Sequence, residues 1–258
     1  MSEPLLKLEG VRKSFGSLRA VDGVDFSVMR GSLTALIGPN GAGKTTTFDL
    51  IAAARRADAG RIVFDGRRIE ALSPDQIFRL GLARTFQVPR PFANMTVLEN
   101  VMLAPIQQSG ERFWNNWFRP GRVRAQERAA LERAHQVLEV CALAGKAADL
   151  AGQLSGGQQK LLELARVLMI EPKMILLDEP AAGVNPALLE TLIDRVQWLN
   201  RQGITFLLIE HNMDMVMRIC NPVIVMAQGR VLAQGDPQRV REDPQVVDAY
   251  LGEVVHDG

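Results

Sequence analysis

"LTALIGPNGAGKTTTFDLI", residues 33–51, runs from an apolar stretch through a glycine-rich turn into a helical pattern. Within it, Gly38-Pro39-Asn40-Gly41-Ala42-Gly43-Lys44-Thr45 fits G-x-x-x-x-G-K-S/T. A strand before and a helix after are the context in which that pattern forms a phosphate-binding loop rather than a chance turn. The glycines let successive backbone N–H groups converge on phosphate oxygens, and the helix start adds its positive dipole end. Lys44 is placed to neutralise β and γ phosphates, and the Thr45 hydroxyl suits Mg²⁺.

Outward from this stretch the chain alternates strand and helix signals. "LLKLEGVRKSF" (residues 5–15), "VDFSVMRGSLTALIG" (24–38) and "RIVFDG" (61–66) read as strands with turns between them. The helix after the loop is expected to run through "KTTTFDLIAAARRA", Lys44 to Ala57. From Pro89 to about Leu154 helical patterns dominate, notably "RVRAQERAALERAHQVLEVCAL". "MILLD" (174–178) and "ITFLLIE" (204–210) return as buried parallel-type strands around the helix "PALLETLIDRVQWLN". "PVIVMAQ" and "RVLAQG" flank a turn at Gly229. The expected fold is α/β: a mixed-sheet core with an antiparallel β subdomain and a helical insertion.

Composition agrees with one globular assembly. The 258 residues are 47 % hydrophobic and 23 % charged, an ordinary balance for a chain that buries a core. A net charge of +1 argues against broad nucleic-acid binding, which leaves a basic footprint. Cys141 and Cys220 have no metal-type spacing and read as two reduced thiols. The start "MSEPLLKLEG" lacks the pattern of a signal peptide, and no apolar run reaches membrane-spanning length. Action at a membrane would therefore go through a partner.

Two further motifs carry chemistry. "MILLDEP" delivers Asp178 to the end of a buried strand, where a carboxylate suits Mg²⁺, and Glu179 follows with a different aim, free to polarise an attacking water. "LSGGQQK", Leu154 to Lys160, sets a serine and two glycines before a helix. Taken alone, the acidic pair reads as solvated and the serine as a helix cap.

"GPNGAGKTT", "LSGGQQK" and "LLDEP", in that order, resemble the ATP-binding-cassette ATPases over essentially the whole chain. The resemblance implies ATP as ligand and Mg²⁺ as cofactor. It implies nucleotide contacts at Phe15 in "KSFG", at Val21, and at Asn40, Gly41, Ala42, Gly43, Lys44, Thr45 and Thr46. It implies a metal set of Thr45, Gln87 and Asp178, and catalytic roles for Glu179, for Gln87 in "RTFQ" and for His211 in "LLIEHN". Ser155, Gly156, Gly157 and Gln158 would cap the γ-phosphate held by a second subunit packed head to tail, so the two glycine motifs complete each other in trans. "ARTFQ", "EPAAGVNP", "IEHNMDMVM" and "VDAYLGE" resemble the larger ATPase subunit of bacterial branched-chain amino-acid importers, whose close relatives carry urea and short amides. Asn185 stands where the general family pattern has aspartate.

That likeness implies a single ATPase domain over 1–258. Residues 1–88 and 161–235 would form the core and β subdomain, about 89–160 the helical subdomain, and 236–258 a helical tail. It implies a pair of ATPase subunits, identical or siblings, two transmembrane permeases and, indirectly, a solute-binding protein, at the cytoplasmic face of the inner membrane. Phe92, Met95 and Val97 would meet a permease. The aromatic cluster Phe113 to Phe118 reads as a hairpin core or an exposed patch. The rivals are an export ATPase of the lipopolysaccharide type, a cassette ATPase without transport, and a non-enzymatic nucleotide-binding regulator, the last disfavoured by Glu179.

Overall fold

The computed structural model describes residues 3–85, 91–103 and 120–254. The chain divides into two compact units: Met1–Arg84, Lys173–Ala181 and Gln197–Gly258 form the first, and Thr85–Pro172 with Ala182–Val196 form the second.

Among the described residues the first unit holds ten strands: β1 (Pro4–Phe15), β2 (Leu18–Met29), β3 (Leu33–Ile37), β4 (Ala59–Phe64), β5 (Arg67–Arg68), β6 (Leu82–Arg84), β7 (Met174–Asp178), β8 (Thr205–Ile209), β9 (Val223–Ala227) and β10 (Arg230–Gly235). They make an antiparallel sheet, β2-β1-β4-β5, and a mixed sheet, β10-β9-β3-β8-β7-β6. In the mixed sheet only the β10–β9 pairing is antiparallel. The central strands β3, β7 and β8 are buried at every residue. Their unbroken apolar runs are what a sheet covered on both faces requires. The expected mixed core and antiparallel β subdomain are both present.

Register sets the functional edge. Leu36 of β3 pairs with Ile209 of β8, and Asp178 of β7 pairs with the same Ile209. The carboxyl ends of three parallel strands therefore finish in one row. The loop after β3, the turn after β7 and the turn after β8 all leave from that row, the edge at which open α/β sheets hold ligands.

Helix α1 (Lys44–Ile51) is shorter than "KTTTFDLIAAARRA" suggests. Ala53 takes a left-handed φ of 53°. The turn is held locally, because the Asp49 carbonyl accepts from the Arg55 amide at 3.1 Å and the Asp49 carboxylate from Arg55 Nε at 3.0 Å. Alanine's helix preference is weak beside such fixing. Helix α2 (Pro74–Arg79) also belongs to the first unit.

The second unit is helical. It contains α3 (Val97–Met102), α4 (Pro120–Val140), α5 (Gly156–Leu168) and the start of α6 (Pro186–Arg201). Helices α3, α4 and α5 pack on one another. The first turn of α3 is fixed by a capping box between Thr96 and Glu99. The buried Asn100 side chain ties down the loop before it, donating to the carbonyls of Phe92, Met95 and Thr96 and accepting from the Phe92 amide. Helices α7 (Met213–Ile219), α8 (Pro237–Glu242) and α9 (Pro244–Val254) return to the first unit. Cys141 and Cys220 are both free and buried. Burial pushes the Cys141 thiol up to about 12, against the pull of the Arg195 charge. Burial and the Glu210 carboxylate push Cys220 up as well. No described helix is long and apolar enough to cross a membrane.

Candidate nucleotide site

The loop between β3 and α1 needs its glycines for space as well as conformation. A Cβ on Gly38 would lie 2.0 Å from the Met226 carbonyl oxygen, and one on Gly43 would lie 2.2 Å from that of Ala20. Both are backbone contacts that cannot yield. Gly38 and Gly43 also have φ of 146° and 97°, in the range that favours glycine. The loop is therefore clamped against the Met226 and Ala20 backbone. Lys44 is buried, and its ammonium donates to the carbonyls of Gly38 at 2.6 Å and Pro39 at 2.8 Å. Thr45 is exposed, Thr46 half-buried, and Asn40 and Gly41 sit at the loop's open side. Ala42 is buried and accepts, through its carbonyl, the Gly229 amide.

Asp178 closes β7 and is buried. Its Oδ2 accepts from Arg84 Nη2 at 2.7 Å, while Arg84 Nη1 donates to Asp49 Oδ1 at 2.6 Å. Burial acts against the Arg84 charge, but the bonds to Asp49 and Asp178 outweigh it and hold the guanidinium above its usual proton affinity. Arg84 lies at the end of β6, three residues before Gln87, and fixes the orientation of the Asp178 carboxylate. Sequence reasoning missed it, since an arginine after "GLA" has no local signal for partners 35 and 94 positions away.

Glu179 turns the chain sharply. Its φ is 47°, a left-handed conformation that costs a non-glycine residue about 1 kcal/mol or more. The Glu179 amide still donates to the Ile209 carbonyl at 3.0 Å. The twist gives its side chain the separate aim expected from sequence. Glu179 Oε1 lies 3.3 Å from His211 Nε2. His211 follows Glu210, the residue just beyond β8, and precedes Asn212, whose Oδ1 caps α7 by accepting from the Met215 amide.

Phe15 ends β1 and is 39 % exposed. The Lys13 and Arg55 cations lie 5.7 Å and 5.1 Å from its ring centre. An exposed aromatic ring is the kind of surface that adenine stacking needs. Val21 requires a correction. Its side chain is 1 % exposed and packs in the core, so it offers no surface to a nucleotide. Alternation along β2 puts neighbouring Ala20 on the other face, and it is the Ala20 carbonyl that abuts Gly43. Gln87 lies outside the described residues, as does the Phe113 to Phe118 cluster.

In the second unit Ser155 caps α5. Its Oγ accepts from the Gln158 amide, and the Gln158 side chain accepts from the Ser155 amide. Gly157 is buried, and a Cβ there would meet Leu188 at 2.9 Å and Val184 at 3.0 Å. Gly156 is exposed, with nothing closer than 3.9 Å to such a Cβ. The two glycines thus differ: Gly157 permits helix packing, while Gly156 leaves the helix start open. Asn185 caps α6, its Oδ1 accepting from the Leu188 amide at 3.0 Å, a role that asparagine and aspartate fill equally. Phe92 is 52 % exposed, with the Arg166 cation over its ring, and Met95 is half-buried. Val97 is 0 % exposed and packs the helices, so it cannot meet a partner.

The site invites comparison with known proteins. The family model described as ABC transporter matches residues 21–182, and a second, described as branched-chain amino acid ATP-binding cassette transporter, matches residues 230–256. The probable branched-chain amino acid transport ATP-binding protein LivG of Archaeoglobus fulgidus is 41 % identical over 248 residues, 96 % of this chain and 95 % of that protein. The high-affinity branched-chain amino acid transport ATP-binding protein BraF of Pseudomonas aeruginosa is 41 % identical over 254 residues, 98 % of this chain and 100 % of its own length. An ATP-binding cassette of an ABC transporter solved in its ADP conformation superimposes with a TM-score of 0.84 at 39 % identity, covering 97 % of this chain and 100 % of the other. The chain belongs to the ABC transporter family. It is an ATP-binding cassette, with that family's fold and its ATPase activity.

Proposed function

We propose that this cassette powers an importer of branched-chain amino acids. It works as one of a pair of ATPase subunits, identical or siblings, under two transmembrane permeases at the cytoplasmic face of the inner membrane. A solute-binding protein delivers cargo on the far side. The solute class is supported by the names of the relatives and by the C-terminal match at residues 230–256. Assembly with membrane subunits is supported by a 27 % identical cassette described as part of the cbiONQ transporter complex.

The observation that carries the reading is the shared strand-end row. It brings the glycine loop with Lys44, the Asp178 carboxylate and the Glu179–His211 pair to one edge of one sheet. Lys44 and the loop amides bind the β and γ phosphates, and Phe15 stacks on adenine. Glu179 orients a water and accepts its proton, and His211 holds the Glu179 carboxylate and meets the γ-phosphate. Among the described residues no group of three or more His, Cys, Asp and Glu can cage a metal. One carboxylate, Asp178, and one exposed hydroxyl, Thr45, are nevertheless the donor set Mg²⁺ takes when substrate phosphates supply the rest. When bound, Mg²⁺ would neutralise charge on the β and γ phosphates. Gln87 would join this set.

The function is tested in vesicles carrying the chain with its permeases and binding protein. Leucine, isoleucine or valine in the compartment of the binding protein should raise phosphate release. A rise with urea or a short amide alone would reassign the solute, and no rise with any solute would remove the import reading.

The trans arrangement has its own test. Lys44→Ala and Gly156→Asp, each nearly inactive alone, are expected to regain phosphate release when mixed, because one whole site is rebuilt. Position 156 is chosen because it is open and exposed, so the added charge faces outward instead of being forced against Val184 and Leu188. Mixed pairs that form without any gain would count against shared sites.

A further inference from the structure

Glu210 is 3 % exposed and spends both oxygens on backbone amides. Oε1 accepts from the Ala181 N–H at 2.6 Å. Oε2 accepts from the N–H of His211 at 2.9 Å and of Asn212 at 3.0 Å. We infer that Glu210 is a positioning residue for ATP hydrolysis, whose carboxylate locks the backbone that carries His211 to the backbone that carries Glu179. The inference rests on the roles proposed above for those two residues.

The frame is closed on both sides. Pro180 has no N–H, so Ala181 supplies the first amide after Glu179, and Glu210 takes it. The Glu179 amide goes to Ile209, the residue before Glu210. Both ends of the Glu179 turn are thus fastened to consecutive positions at the end of β8. On the other side, Oε2 gathers two successive amides, and Asn212 then begins α7. The 3.3 Å separation of Glu179 and His211 is thereby framed by backbone and carboxylate. Charge-assisted bonds of this type are roughly twice as strong as neutral ones. Only an acceptor with two oxygens serves all three donors. Glutamine keeps the shape but turns an NH₂ donor toward an N–H donor.

The test is ATP turnover of Glu210→Gln, His211→Ala and the double variant, in the assembled ATPase. Glu210→Gln should lower kcat about tenfold through misplacement of His211, with KM for ATP nearly unchanged. In the His211→Ala background the same change should add less than about twofold, because residues that act through one another are not additive. Equal slowing in both backgrounds would mean a general structural defect and would overturn the inference. Full turnover of Glu210→Gln beside a slow His211→Ala would overturn it alone. Full turnover of His211→Ala would remove the underlying catalytic reading together with it. Should the Gln variant not fold, amide hydrogen exchange of the unaltered chain decides. Slow exchange at His211 and Asn212 is expected, and exchange at the rate of an open loop would overturn the frame.

Discussion

Glu179→Gln is expected to bind ATP as tightly as the unaltered chain while releasing phosphate at least about a hundredfold more slowly. The amide fills the same volume on the same strained turn. It can still meet His211, so the pocket keeps its shape. What it loses is the ability to accept a proton from the attacking water, and proton transfer by a positioned group contributes on the order of 10² to 10⁴. An ATP-bound pair should therefore accumulate, visible as a doubling of mass by size-exclusion chromatography in ATP. Near-normal phosphate release in this variant would take Glu179 out of the reaction and leave the left-handed turn at 179 as a feature of the fold alone.

Lys44→Ala should weaken ATP binding about a hundredfold or more, read by calorimetry, because a buried charge-assisted contact contributes about 1.5–3 kcal/mol per bond. The side chain has two functions in the structure. It brings the only cation seated in the loop to the phosphates, and through Gly38 and Pro39 it braces the loop's own carbonyls. Alanine removes both, so slack in the loop adds to lost charge. The melting temperature should change little, since the loop is also held by Met226, Ala20 and Gly229, none of which the substitution touches. Unchanged affinity would sink the phosphate-loop reading.

The parts legible in the sequence are those whose physics is local. The loop of residues 38–45 announces itself through glycine spacing and flanks. The strands at 174–178 and 204–210 show as unbroken apolar runs because both faces are covered. Glu179 and His211 were found through their motifs, and the structure brings their side chains together. What stayed hidden depends on distance along the chain. Arg84 matters because of Asp49 and Asp178, and Glu210 because of amides at 181, 211 and 212; a lone acid after an apolar run gives no sign that three N–H groups will bury it. Val21 is implied by the family likeness alone, and its burial follows from core packing that a motif match does not carry. The early end of α1 was hidden for the opposite reason. The residues from Ala52 to Arg56 favour helix locally, and the turn is held by Asp49. Ser155 and Asn185 carry local capping roles that the family likeness overshadowed.

The two native thiols open an experimental route. Alkylating probes react with thiolate, and Cys141 and Cys220 are both buried and held in the protonated form far above neutral pH. A cysteine placed at an exposed position would then be the single reactive thiol on the molecule. Fluorescent or spin probes attached there could follow the approach and separation of two cassettes during turnover, with the native sequence left otherwise intact.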